Sequence, residues 1–173
     1  VSLNVLRRKG KKPKTKETRG KFNVGKSIDQ RPPEVDTREV FGHWELDSIV
    51  SSRGESKACF ATFVELKTRF YVAIKMEDRS RDSMLKSIRQ LVAGIPKKAF
   101  KSFTSDRGKE FSCWEEVEEM GIEFYFAELY CSWQRGCNEN SNGLLREFYP
   151  KKTDLSKVKT EELISTLMLI NSR

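Results

Sequence analysis

An α/β fold, with a mixed five-stranded sheet flanked by helices, is predicted for this chain by three observations. Short runs rich in β-branched and aromatic residues are interleaved with stretches in which apolar residues recur at helical spacing. Of the 173 residues, 37% are hydrophobic and 10% aromatic, enough Phe, Leu, Ile and Val for a real core. That length has room for one domain. The same composition excludes full disorder, fibrous repeats and collagen. No apolar run approaches the roughly 20 residues a bilayer needs, and the first residues lack the apolar stretch of a secretory signal. A soluble, cytoplasmic protein is expected.

The first three strands are predicted at residues 44–50 (WELDSIV), 58–66 (ACFATFVEL) and 69–75 (RFYVAIK). In the last of these Phe70, Val72 and Ile74 alternate with Tyr71, Ala73 and Lys75. Tight connections around Gly54 and Lys67-Thr68 suggest an antiparallel meander. Met84, Leu85, Ile88, Leu91 and Val92 then recur at helical spacing after a cap at Ser80, with Arg81, Lys86 and Arg89 on the other side. That pattern is a helix lying on the sheet. Residues 99–104 (AFKSFT) read as the fourth strand, 110–120 as a short helix and 122–126 (IEFYF) as the fifth strand. Two helical patterns close the chain, one over about 134–148 and one from near Thr160, where Glu161 and Glu162 suit the positive end of a helix. The second is still running at Arg173, and the chain starts at Val1, so a piece of a longer protein is expected. Three strands, a helix, a strand, a helix, a strand and terminal helices is the element order of a ribonuclease H-like fold, although other α/β folds share parts of it.

The charge is unevenly placed. Residues 1–40 carry 12 Lys and Arg against 5 Asp and Glu, a net +7 of the total +8, and include Pro13, Pro32 and Pro33 among few apolar residues. They read as a basic arm or linker, with residues 41–173 as the folded core. Arg7, Arg8, Lys9, Lys11 and Lys12 are its candidate nucleic-acid contacts, because basic runs attract polyanions by releasing condensed counterions. A solvated, solubilising tail is the other explanation.

The four cysteines, Cys59, Cys113, Cys131 and Cys137, form no CxxC pair and are too sparse for a disulfide scaffold. Reduced, half-buried thiols are expected, and Cys131, Cys137 and the lone His43 fit no common zinc spacing. His43 itself reads as a structural or pH-insensitive surface residue.

Three acids stand out by position. Asp47 falls inside the first strand, Asp106 just after the fourth in TSDRGKEF, and Glu139 on the helix containing CNENSNGLLREF. In a ribonuclease H-like sheet the first and fourth strands are neighbours, so Asp47 and Asp106 can meet at one edge with Glu139 reaching down from the helix. Carboxylates brought together bind cations, and Mg²⁺ takes oxygen ligands while keeping positions for water and phosphate. Singly, each acid has an ordinary explanation: an edge-strand charge, a turn former before Arg107-Gly108, a solvent-facing helix residue. Asp47 is the hardest to explain that way, since an acid inside a strand works against local propensity.

At these residues the chain resembles a DDE transposase of the insertion sequence 30 family, within the retroviral-integrase-like catalytic core superfamily. The resemblance is carried by ETRGKF and RPPEV in the arm, GHWELDSIV, TSDRGKEF, and the long block YCSWQRGCNENSNGLLREFYPKKTDL. Asp47 and Asp106 are 59 residues apart and Asp106 and Glu139 are 33 apart, the second interval being typical of the family. The resemblance implies that Asp47, Asp106 and Glu139 are the catalytic acids and hold Mg²⁺ or Mn²⁺, two ions once DNA is bound. It implies cleavage at element ends and transfer of the 3′-hydroxyl to a target, in a bacterial, nucleoid-associated enzyme that assembles as a homo-oligomer on DNA. It also marks Arg146, seven residues past Glu139 and back on the same helix face, as a grip on the DNA backbone. Lys109 and Arg107 are weaker phosphate-contact candidates. Tyr130 and Trp133 can stack on unpaired bases, although packing of their loop onto the sheet is the plainer expectation. Leu46 stands where the family has Gly, and Cys131 and Cys137 replace polar residues. The family's helix-turn-helix region does not occur in these residues, so sequence-specific DNA binding is expected to be weak. A non-catalytic DNA-binding relic and a metal-dependent nuclease of the same fold are the rival readings.

Overall fold

The computed structural model describes residues 25–172 except 53, 55 and 130. In chain order the elements are β1 (Lys26–Ser27), α1 (Glu34–Thr37), β2 (His43–Val50), β3 (Cys59–Glu65), β4 (Tyr71–Met76), α2 (Arg81–Gly94), β5 (Ser102–Ser105), α3 (Trp114–Glu119), β6 (Glu123–Phe126), α4 (Gly136–Phe148) and α5 (Thr160–Asn171). They build one sheet in the order β1-β6-β5-β2-β3-β4. The predicted meander is present, since β3 runs antiparallel to both β2 and β4. From β2 outward on the other side the pairing is parallel, through β5 and β6 to β1.

Among the described residues the sheet therefore has six strands where five were expected. The extra strand is only Lys26–Ser27, which hydrogen-bonds alongside Tyr125 and Phe126 and is too short to show an alternating pattern. It belongs to the stretch grouped with the basic arm. Residues 25–40 dock on the body through Ile28 and Val35, both buried, and through Arg31, which donates to Thr104 Oγ1 at 3.3 Å. The fourth strand begins later than expected. Pro96, which has no N–H for a ladder, is followed by a 3₁₀ turn at Lys97–Ala99, so pairing starts at Ser102.

Every residue of β3 is buried, as a central strand covered on both faces should be. One face packs Trp44, Leu46, Phe63, Phe103 and Phe124 under Met84 and Ile88 of α2 and Val117 of α3. The other packs Ile49, Phe60, Val64 and Tyr71 under Leu145 of α4 and Leu163 and Ile170 of α5. Among the described residues no helix is long and apolar enough to cross a membrane.

Candidate active site

Strand alternation decides where the acids point. On β2, Trp44 and Leu46 enter the layer under α2, so Glu45, Asp47 and Ile49 face α4. Parallel pairing of His43, Trp44 and Glu45 with Ser102, Phe103 and Thr104 brings the end of β5 level with Asp47, and Asp106 follows directly. The two carboxylates share one guanidinium. Arg135, whose side chain is only 15% exposed, places Nη1 3.7 Å from Asp47 Oδ1 and Nη2 3.5 Å from Asp106 Oδ2. Its Nη1 also donates to the Leu46 carbonyl at 3.3 Å.

Each acid is further oriented by local donors. Asp47 Oδ1 accepts from the Ser48 N–H at 2.8 Å, and Oδ2 accepts from Asn142 Nδ2 at 3.0 Å. Burial pushes the Asp47 carboxyl above its ordinary range; Arg135 and the Ser48 N–H pull it back, and the nearby Asp106 charge pushes it further up. Asp106 Oδ1 accepts from the Gly108 N–H at 2.9 Å. Glycine is required there by close approach. A Cβ at position 108 would lie 2.6 Å from Glu110 Oε2 and 2.9 Å from Asp106 Oδ1, which also means that at most about 5.5 Å separates those two oxygens.

Glu139 lies in the first turn of α4 with its side chain exposed. It shares a helix face with Asn142, three residues on, which is the residue that reaches Asp47. Among the described residues, no group of three or more His, Cys, Asp and Glu is gathered closely enough to hold a metal ion. The structure thus brings Asp47 and Asp106 together, with Glu139 one helical turn from Asn142, the residue that contacts Asp47. The start of α4 is pinned by Glu45, a buried carboxylate whose Oε2 accepts from the Asn138 N–H at 2.9 Å. Burial raises the Glu45 carboxyl above its usual range, and the Asn138 bond opposes the shift.

Arg146 lies on the Glu139 face of α4, and its guanidinium is half-buried, donating to the Val50 carbonyl at 2.8 Å and the Tyr149 carbonyl at 3.4 Å. Lys109 is exposed, and Arg107 is partly buried with an unpaired Nε. Arg7, Arg8, Lys9, Lys11 and Lys12 lie outside the described residues, as does Tyr130. Trp133 does not pack onto the sheet as expected: it is 72% exposed. Of the two readings of His43, the structural one holds. It is buried between Ser102 Oγ, 2.7 Å from Nδ1, and Glu34 Oε1, 3.2 Å from Nε2. Cys137 bonds with Arg69 and Cys131 with Glu128, so the three are not assembled around a metal. The thiols are free, with Cys59 pushed up to about 12 and Cys113 to about 11 by burial.

Arg135, Asn142, Glu45 and Glu110 were not singled out from the sequence. Asn142 carried a legible signal, since three residues from Glu139 is one helical turn. Arg135 carried none, because its partners are 89 and 29 residues away.

Residues 37–131, more than half of the chain, match the model of the integrase core domain family. The chain is 37% identical over 171 residues to the probable transposase for insertion-like sequence element IS1161 of Streptococcus salivarius, covering 99% of this chain and 47% of the relative. It is 32% identical over 169 residues to transposase InsI for insertion sequence element IS30A of Escherichia coli (strain K12), covering 96% and 43%. It therefore spans about half the length of these relatives. Among solved structures it is similar to the simian T-cell lymphotropic virus intasome in complex with PP2A regulatory subunit B56 gamma, with a TM-score of 0.58 at 14% identity over 75% of this chain and 46% of that one. The HTLV-2 integrase catalytic core domain in complex with magnesium gives a TM-score of 0.55 at 13% identity, covering 77% and 86%. At such identities the likeness is one of fold, and the fold is ribonuclease H-like.

Proposed function

This chain belongs to the integrase core domain family, and from that premise we propose that it is the catalytic core of a DNA transposase, cleaving DNA at element ends and transferring the freed 3′-hydroxyl to a target. The observation that carries the reading is the Asp47–Asp106 pair, one acid on β2 and the other just past the end of the adjacent parallel β5, bridged by the Arg135 guanidinium. Hard carboxylate oxygens at a place that already accepts a cationic group suit Mg²⁺ or Mn²⁺. Asp47 and Asp106 would hold the metal, with Glu139 as the further ligand from α4. Divalent ions, when bound, activate the attacking oxygen and stabilise the leaving oxygen of a phosphodiester.

The chain's own groups supply the positioning. The Ser48 N–H and Asn142 fix both oxygens of Asp47, Gly108 fixes Asp106, and Glu45 sets the first turn of α4 that carries Glu139. Water attack on one strand frees a 3′-hydroxyl, and that hydroxyl attacks a target phosphodiester directly, with no covalent protein–DNA intermediate. DNA is the substrate at both steps, and copies of the chain self-associate on paired ends.

Asp106→Asn tests it. The variant is expected to lose cleavage and joining while retaining DNA binding, and equal activity in the variant would overturn the assignment. A wild-type protein that binds DNA but never cuts it with Mg²⁺ or Mn²⁺ would mark a non-catalytic relic. Cut ends that never join a second DNA would mark a nuclease.

A further inference from the structure

A second arginine approaches the acid pair from the opposite face of the sheet. Ser48 follows Asp47 on β2 and so points away from α4, where its Oγ donates to Glu110 Oε1 at 2.9 Å. Arg79, in the connection between β4 and α2, donates Nε to the same oxygen at 2.5 Å. Glu110 is 2% exposed whereas the Arg79 side chain is 46% exposed. A buried carboxylate gripping Nε holds the guanidinium, whose two terminal nitrogens have no hydrogen-bond partner among the described residues. Both Asp47 and Asp106 lie within electrostatic range of this guanidinium.

Arg79 also lines an open groove of about 450 Å³, together with Ser52, Ser56, Lys57 and Ser80. Asp78 borders it too, its Oδ1 accepting from the Ser80 N–H at 3.2 Å and the Ser83 Oγ at 2.7 Å, at the start of α2. Its two cations suit the charge of a phosphodiester backbone and its small side chains leave room for one, the Ser56 and Ser80 hydroxyls being turned to Asp154 Oδ1 at 2.6 Å and Ser83 Oγ at 3.1 Å.

We propose that Arg79 contacts phosphate, that Glu110 is the positioning residue which aims it, and that this groove seats the DNA backbone as a strand enters the Asp47–Asp106 pair. The inference rests on the transposase reading and adds to it the path of the strand. Arg135 and Arg79 then flank the acids from opposite faces of the sheet, so that a phosphate brought to them is approached by positive charge from both sides.

Single replacement of Arg79 leaves the buried Glu110 charge without its counter-ion and lowers the melting temperature whatever Arg79 does for DNA. The informative variant is therefore the double substitution R79Q/E110Q, which removes both charges and keeps amide hydrogen bonding to Ser48. Melting temperature and affinity for a short duplex DNA of arbitrary sequence would be measured across a salt series for the wild-type chain, R79Q, R79Q/E110Q and K57Q. Expected are a melting temperature restored in the double variant and, in the same protein, a slope of log affinity against log salt reduced by about 1. K57Q, which touches no buried group, should show a similar loss of slope with an unchanged melting temperature. A double variant that melts and binds like wild type, together with a wild-type slope in K57Q, would reduce Arg79 to an ion-pair partner and overturn this inference alone. A wild-type chain that binds no DNA would overturn it together with the transposase reading.

Discussion

Asn142 Nδ2 donates to Asp47 Oδ2 at 3.0 Å, while its Oδ1 accepts from the buried hydroxyl of Tyr71 at 2.7 Å. One amide thus ties α4 to the acid of β2 and to the start of β4, and it holds Asp47 in one rotamer. Because Nδ2 and Oδ1 both have partners, the orientation of the amide is set by the network.

Asn142→Ala should therefore harm activity more than stability. Losing the bond to Tyr71 removes one of the two partners of a buried hydroxyl, which keeps Thr62, at about 1 kcal/mol. Freeing Asp47 to leave its productive rotamer should lower the rate of strand cleavage by roughly 10²-fold, since misplacement of a reacting group by about 1 Å has that effect. Steady-state cleavage beside a thermal melt checks both. A variant that melts lower yet cleaves at the wild-type rate would show that Asn142 does not orient Asp47.

The acid pair should respond to removal of Arg135 and to added metal in opposite directions. Arg135→Gln takes away the cation between Asp47 and Asp106 and should lower stability by about 1–2 kcal/mol at neutral pH, a modest figure because both acids are partly exposed. Mn²⁺ should raise the melting temperature of this variant at least as much as that of the wild-type chain, by binding the folded form, and a chelator should reverse the gain. Asp106→Asn should abolish the Mn²⁺ effect. A metal response that survives Asp106→Asn would place the ion elsewhere.

His43 should make folding weaken on mild acidification. Burial lowers its pKa below the ordinary 6.5, outweighing the Glu34 contact that pulls the other way. The unfolded chain therefore takes up a proton first as the pH falls. Stability contributed by the neutral ring is fully present above about pH 6.5 and is lost as the pH drops from there through the lower folded value. His43→Asn should flatten this part of a plot of unfolding free energy against pH, between about pH 7 and 5. An unchanged slope in the variant would assign the acid sensitivity to other groups.

The elements were readable because each rests on a local period. The alternation at 69–75 and the 3.6-residue spacing of Met84, Leu85, Ile88 and Leu91 gave β4 and α2 close to their observed limits. Local signals failed where the backbone departs from one regular form: residues 109–119 divide into a 3₁₀ turn and the short α3, and β1 is two residues long. His43 was left open between a structural and a surface role, and Trp133 was misjudged, because neither burial nor exposure of a single residue follows from its neighbours in the chain. His43 is buried by Glu34 and Ser102 from two other elements, and Trp133 sits on a turn that holds it out from the sheet.

The sequence by itself determined the order of the elements, the basic N-terminal stretch, and the three acids in blocks that resemble one family. Only the tertiary structure decided which of those acids meet and what surrounds them. Parallel pairing of β2 with β5 places Asp106 beside Asp47, and the register of α4 on β2 puts Asn142, rather than Glu139, against Asp47. The positions of Arg135 between the acids and of Arg79 on Glu110 likewise depend on contacts between residues far apart in the chain. Periodicity within a segment says which face is apolar. It says nothing of which partner's side chain will lie against the polar one, because that is settled when the layers pack.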